Sequence, residues 1–576
     1  MNTVNTCKKD GFLCFIVASL FICGQLFGQK TADFILPVDT PVHLAGTFGE
    51  LRAAHFHTGL DFRTGGDEGK SVCASLDGWV SRIKVSTIGF GKVLYIDHPQ
   101  GFTTVYAHLH NFTGGLDAYI DSAQNAAGKY EVELFPDSGR FQFVAGELIG
   151  LSGNTGGSEG PHLHFEIRKR ADQIPLNPLD YLPVKDTVRP VIEELMAYEV
   201  KGRHYDQILR TTVSKLKQKK RSTLEVTTSS YPDTIAFSAY MLDSDPPNGL
   251  GIYSAELIAD QQTIFSYSFD SLNFDDGRFA NAHAVVPSGG IRFHRLHRLP
   301  GNKAASFKTK GDGRLVVKDD QPIACRIITK DKFYNTDTLL FTLIVKREKE
   351  LSGGNYAGGS AVRYQLLSFD SAHTLTTSRG ISQLKIPAGA AYQDFNVAIQ
   401  SVRVSDPLIA ETVELLLDQD EAPFHRPATL TIQLFSDSLK KTDLSKLVVA
   451  GRNDLFSPVR DAIIPETVTE ESLTCSIRRD GVYSVQIDST PPFVKECNRW
   501  IDPVDGKLYE RVIVADDLAG VGDFSVLHNG KLVIAIWDPR DRSVSWKVTD
   551  EVQLPGYTEI KLQDKVKNES FFRLYY

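Results

Sequence analysis

His55-Phe-His57-Thr-Gly-Leu-Asp61-Phe62 and, roughly a hundred residues on, Gly160-Pro-His162-Leu-His164-Phe-Glu-Ile167 decide how this chain is read. In an extended segment alternate side chains share a face, so the His-x-His run points His162 and His164 the same way. His57 and Asp61 lie four apart, a spacing that a strand leading into a turn brings to one point. Neutral imidazole and carboxylate are the ligands that borderline Zn²⁺ takes in a catalytic site, where three protein ligands leave a fourth position for water. Two histidines, one aspartate and one spare histidine fit that count.

Either motif alone arises often by chance, and what they share is their context. Between them stands Val105-Tyr106-Ala107-His108-Leu109, and just before the second runs the turn-rich Gly150-Leu-Ser-Gly-Asn-Thr-Gly156. This set, in this order, resembles the lysostaphin/LytM family of zinc metalloendopeptidases, which cut peptide bonds in bacterial peptidoglycan. The resemblance runs over roughly residues 40 to 183, from Ala45-Gly-Thr-Phe-Gly49 to Asn177-Pro-Leu-Asp-Tyr181. It implies His57, Asp61 and His164 as zinc ligands and gives His162 and His108 catalytic roles, and no position of that set departs from the family pattern. A second imidazole suits this chemistry, because its ordinary pKa near 6.5 lets it take a proton from water at neutral pH. His162, next to a ligand on its strand face, is read as that base, and His108 as a hydrogen-bond donor to the tetrahedral oxyanion. Tyr106, expected on the strand face of His108, is read as assisting.

Other candidates carry less. His55 stands two before His57 without an aspartate four residues on, while His98 and His110 read as turn or surface residues. Gly65-Gly-Asp-Glu-Gly69-Lys70-Ser71 imitates a phosphate loop, but the Walker spacing puts its first glycine at Thr64, so it reads as a hairpin turn. His294 and His297, among Arg292, Arg295 and Arg298, lack an acidic or cysteine partner nearby and read as surface.

Lys8 and Lys9 precede an apolar run from Gly11 to Phe27, followed by Gly28-Gln29, the layout of a secretory signal peptide cut after Gly28. The run is short for a membrane span, and no later segment is apolar enough to cross a bilayer. Ile22 stands where a lipoprotein box wants a small residue, which disfavours lipidation at Cys23. Of seven cysteines, Cys7, Cys14 and Cys23 fall in the leader; Cys73, Cys325, Cys475 and Cys497 show no Cys-x-x-Cys spacing, and Cys475 with Cys497 is the pair close enough to test as a disulfide. The formal net charge of −8 becomes −9 without the leader, so the broad basic field of a nucleic-acid binder is absent.

At 576 residues the chain is too long for one core. Short β-rich runs alternate with turns and long helical periodicity is absent, which predicts an all-β protein: an antiparallel-sheet peptidase domain with a substrate groove, followed by sandwiches. Asn111 to Phe143 reads as a loop insertion at that groove. Downstream, Asp186-Thr-Val-Arg-Pro190 parallels Asp488-Ser-Thr-Pro-Pro492, Asp243 with Gly251 parallels Asp516 with Gly520, and Asp331-Lys-Phe-Tyr-Asn335 parallels Asp564-Lys-Val-Lys-Asn568. Three markers in one order suggest two copies of an immunoglobulin-like sandwich. The expected division is a leader over 1–28, the peptidase domain over 29–185, an immunoglobulin-like sandwich with an insertion over 186–346, a further β-sandwich over 347–487 and the second immunoglobulin-like copy over 488–576.

The expected protein is an exported zinc endopeptidase, periplasmic or extracellular, that hydrolyses cross-links or stem peptides of peptidoglycan. Its layout resembles exported multidomain family members of Gram-negative bacteria, especially the Bacteroidetes. The downstream domains are expected to cover the groove, in which case a chain ending near Pro183 digests faster. Two rival readings are a catalytically silent wall-binding regulator of an amidase, which the intact ligand set speaks against, and a secreted protease acting on proteins.

Overall fold

The computed structural model describes residues 33–39, 43–218, 222–229, 233–243, 249–287, 290–304, 308–318, 321–347, 362–379, 381–402, 410–417, 423–435, 439, 442–549 and 556–576. The leader expected over 1–28, with Cys23, lies outside the described residues.

Residues 44–176 contain strands β1 (Leu44–Gly46), β2 (Leu60–Arg63), β3 (Ser71–Cys73), β4 (Gly78–Val85), β5 (Lys92–Asp97), β6 (Phe102–Ala107) and β7 (Leu109–Phe112), helix α1 (Leu116–Ala127), then β8 (Val132–Leu134), β9 (Gln142–Phe143), β10 (Leu148–Ser152), β11 (His162–Lys169) and β12 (Pro175–Leu176). A nine-stranded antiparallel sheet runs β1-β2-β11-β6-β5-β4-β8, with β12 on β11 and β9 on β4, and β3-β10-β7 form a small second sheet. The period of two assigns the faces. Leu60, Phe62, Leu163, Phe165 and Ile167 all bury in one core, which leaves Asp61, His162, His164 and Glu166 for the opposite face. Antiparallel pairing of β2 with β11 sets Asp61 opposite His164 and Arg63 opposite His162, and β6 flanks β11 on its other side.

The insertion expected as a loop over Asn111 to Phe143 instead holds α1 and two short strands on β4, at the far edge of the sheet from the β2–β11 pair. An apolar stripe of Leu116 and Ile120 buries the helix against the core, a short signal easily missed in a β-rich sequence.

Among the described residues the rest of the chain is also mostly β, with short helices at Val213–Gln218 and Ala280–His283. Two six-stranded sheets between Pro190 and Arg347 enclose one core, a six- and a five-stranded sheet between Gln365 and Ile487 another, and two four-stranded sheets between Phe493 and Tyr575 a third. The internal repeat is a repeated hydrogen-bond network. Asn335 donates from Nδ2 to the Asp186 carbonyl (3.2 Å) and to Asp331 Oδ2 (2.7 Å); Asn568 donates likewise to the Asp488 carbonyl (3.0 Å) and to Asp564 Oδ2 (2.7 Å). Each asparagine thus ties the entry of its sandwich to the turn before the last strand.

Two expectations change. Cys475 is buried in the core between Gln365 and Ile487 and Cys497 is exposed on strand Phe493–Ile501; both are free thiols. His294 and His297 are buried, not superficial, because strand Phe293–Arg295 pairs with the central strand Asp233–Asp243 and His297, just beyond it, meets the Phe237 carbonyl of that strand at 2.9 Å; burial pushes both imidazoles down to about 3, so they sit neutral in the core. No helix of the described residues is long and apolar enough to cross a membrane.

Candidate metal centre

On the polar face of the β2–β11 pair three ligand atoms meet. His57 Nε2 lies 3.0 Å from Asp61 Oδ1 and 2.9 Å from His164 Nδ1, and His164 Nδ1 lies 2.9 Å from the same Asp61 oxygen. The outer nitrogens of both imidazoles are engaged elsewhere: His57 Nδ1 with the Thr47 carbonyl (2.8 Å), His164 Nε2 with Glu166 Oε1 (3.0 Å). A neutral imidazole whose proton goes to an outer acceptor turns a lone pair inward. Two lone pairs and a carboxylate oxygen therefore face one another in a buried triangle, which requires a proton or a cation between them. A tetrahedral zinc with bonds of about 2.0–2.1 Å sets its ligand atoms about 3.3 Å apart, so this triangle is a tetrahedral face drawn in by a few tenths of an ångström. The donor set fits zinc.

Electrostatics agree with that reading. Burial works against an ionised Asp61, yet His57 and the hydrogen bonds from His162 and His164 hold its carboxyl well below the usual range. Burial likewise lowers His164, but Asp61 and Glu166 outweigh it and bring the imidazole up to about 9. Glu166 is fully buried; burial raises its carboxyl, while Arg168 and His164 bring it down to about 2. Arg168, ion-paired to Glu166, continues the face that began at His162. Sequence reasoning missed both, although the period of two that pairs His162 with His164 extends to Glu166 and Arg168.

Two further imidazoles flank the triangle. His162 Nδ1 meets the Gly160 carbonyl at 2.8 Å and its Nε2 lies 3.5 Å from Asp61 Oδ1. Its side chain is 16 % exposed against 4 % for His164, so it is the more open to solvent of the two. His108 meets it ring to ring, centroids 4.8 Å apart. His108 Nδ1 donates to the Thr155 carbonyl (2.8 Å), and burial, helped by His162 and His164, pushes it down to about 3. Thr155 is held in turn by the Lys92 amide through its Oγ1 (2.9 Å). Gly156 permits this, since a Cβ there would meet Gly91 N at 2.3 Å.

Tyr106 does not reach the site. It is fully buried among core residues, its hydroxyl accepting from Ser75 N (2.8 Å) and Thr104 Oγ1 (3.0 Å). Strict alternation puts Tyr106 and His108 on one face, but His108 has φ +59°, and this left-handed residue breaks the alternation and swings its ring to the other side. His55 sits exposed in the turn between Arg52 and Phe56. His98, expected in a turn or at the surface, is buried between the Asp77 carbonyl and Thr104. His110 reaches Glu68 on one side and Asp502 of the last sandwich on the other.

A cover over the groove is not supported. The sandwich over 190–347 meets the back of the centre through Phe48, Leu51 and Phe56, and Arg540 of the last sandwich touches the rim at the carbonyls of Asn154 and Ser158.

The model of Peptidase family M23 matches residues 55–124, a stretch that takes in His57, Asp61 and His108. The chain is 33% identical over 129 residues to the DD-carboxypeptidase/endopeptidase Mpg of Neisseria meningitidis serogroup B, covering 22% of this chain and 23% of that protein. It is 28% identical over 149 residues to the cell division protein DipM of Caulobacter vibrioides, covering 26% of this chain and 18% of that one. Among solved structures, the catalytic domain of the prophage-encoded M23 protein EnpA from Enterococcus faecalis aligns at 24% identity with a TM-score of 0.20, over 26% of this chain and 97% of that one. The similarity thus spans less than a quarter of the length of the two curated relatives.

Proposed function

We propose, from the premise that the chain carries a domain of Peptidase family M23, that it is an exported zinc endopeptidase which hydrolyses peptide bonds of peptidoglycan. The observation that carries this reading is the triangle of His57 Nε2, Asp61 Oδ1 and His164 Nδ1, with both outer imidazole nitrogens already committed. Those three residues would hold the metal, which when bound polarises a carbonyl and activates water at neutral pH. His162 donates from Nδ1 to the Gly160 carbonyl and holds its Nε2 3.5 Å from Asp61 Oδ1, at the edge of the triangle, the position of a general base. His108 is neutral at pH 7 with its Nδ1 proton on the Thr155 carbonyl. It therefore donates to a developing oxyanion or leaving amine only after gaining a proton at Nε2, for which His162, ring to ring with it, is the nearest source.

The peptidoglycan substrate is supported by the curated relatives, one named as a DD-carboxypeptidase/endopeptidase and one as a cell division protein. Digesting purified sacculi with the zinc-loaded chain and identifying new termini by mass spectrometry tests it. New amino termini within stem or cross-link peptides are expected. Intact sacculi alongside cleaved soluble protein would move the assignment to a protease of proteins.

A further inference from the structure

We propose that the sandwich over 190–347 is a working part of the metal centre: it braces from behind all three residues that hold the metal, although none of its own residues belongs to the ligand set. The inference rests on the site described above and adds what keeps that site in shape.

The brace on His57 begins with the Thr47 carbonyl, which takes the His57 Nδ1 proton at 2.8 Å, while Thr47 Oγ1 donates to the Gly251 carbonyl of the sandwich at 3.0 Å. The brace on Asp61 is Arg52, whose Nη2 holds Oδ2 at 2.9 Å and so leaves Oδ1 for the histidines. Arg52 is placed by its neighbours, because Phe48, Leu51 and Phe56 are buried in the core of the sandwich together with Phe269 and Leu272. The Phe56 and Phe269 rings stand 5.3 Å apart. Gly49 passes Phe269 so closely that a Cβ would come within 2.6 Å of the ring. The brace on His164 runs through Glu166 to Arg168, whose guanidinium lies 4.6 Å from the Phe274 ring.

Three hydrophobic residues of the segment 47–57 thus belong to a core built by residues some two hundred positions away. Partners behind metal ligands fix ring orientation and basicity, and their loss commonly costs about 10–100-fold in metal affinity. Here those partners are themselves positioned by the sandwich. Phe269, Gly251 and Thr47 are positioning residues.

The test measures zinc affinity of the full chain by chelator competition, with the visible spectrum of the cobalt-loaded protein as a signature of ligand geometry. Phe269→Ala and the milder Thr47→Val are compared with Leu343→Ala, a deletion elsewhere in the core of the same sandwich, on strand Thr336–Arg347. Loss of about 10-fold or more in zinc affinity and an altered cobalt spectrum are expected for Phe269→Ala and Thr47→Val, while Leu343→Ala lowers the melting temperature and leaves both readouts as in wild type. Unchanged affinity in folded Phe269→Ala and Thr47→Val, or an equal loss in Leu343→Ala, overturns the brace while the site stands. A wild-type chain that takes up no zinc overturns the site and the brace together.

Discussion

His57 Nε2 and His164 Nδ1 face each other at 2.9 Å across a buried gap, and each ring spends its other nitrogen on a fixed partner behind it. That relationship separates the ligands from the base. His164→Ala should lose most bound zinc, since two remaining ligands rarely hold it. His162→Ala should keep its zinc and lose activity by about 10²-fold or more, because its Nε2 serves the proton and not the metal. Elemental analysis after dialysis reads the difference, and a His162→Ala chain that loses its metal would exchange the two roles.

Zinc uptake should release protons. Without metal, Asp61 and Glu166 hold His164 charged, raised to about 9 from 6.5. That pairing contributes its full stability below about pH 6.5 and loses it as pH rises through 9. Glu166, lowered to about 2, contributes in the opposite sense, fully above about pH 4.5 and lost as pH falls through 2. At pH 7 zinc therefore displaces about one proton from His164. Calorimetry in two buffers of different ionisation heat measures this, and a binding heat independent of buffer would contradict it.

Tyr106→Phe should destabilise the fold by about 1–3 kcal/mol, because the amide of Ser75 loses its buried acceptor. Activity per folded, zinc-loaded molecule should stay within about twofold. A loss of 10²-fold at unchanged zinc content would return Tyr106 to the reacting atoms.

How much of this was legible in the sequence follows from range. His57, Asp61, His162 and His164 are readable because strand alternation is local and their order carries a family resemblance. The left-handed turn at His108 is not readable, and it takes His108 off the strand face that carries Tyr106. The burial of His294 depends on its pairing with Ala239, and that of Phe56 on Phe269, contacts that no local period announces. The all-β class and the repeated Asp and Asn markers were legible, since each marker serves a turn within a few residues of itself.

Truncation near Pro183 should weaken the centre and not free it. Phe48, Leu51 and Phe56 would lose the core that covers them, at about 1.5–3 kcal/mol each. The truncated chain should bind zinc less tightly and digest sacculi more slowly than the full chain. Faster digestion per zinc-loaded molecule would restore the groove cover.

Anomalous diffraction at the zinc edge from crystals of the full chain locates the metal itself. A peak is expected about 2.0–2.2 Å from His57 Nε2, Asp61 Oδ1 and His164 Nδ1, with His162 Nε2 outside bonding distance. A zinc-replete crystal with no peak at that triangle, or with His162 bonded in place of His164, would contradict it.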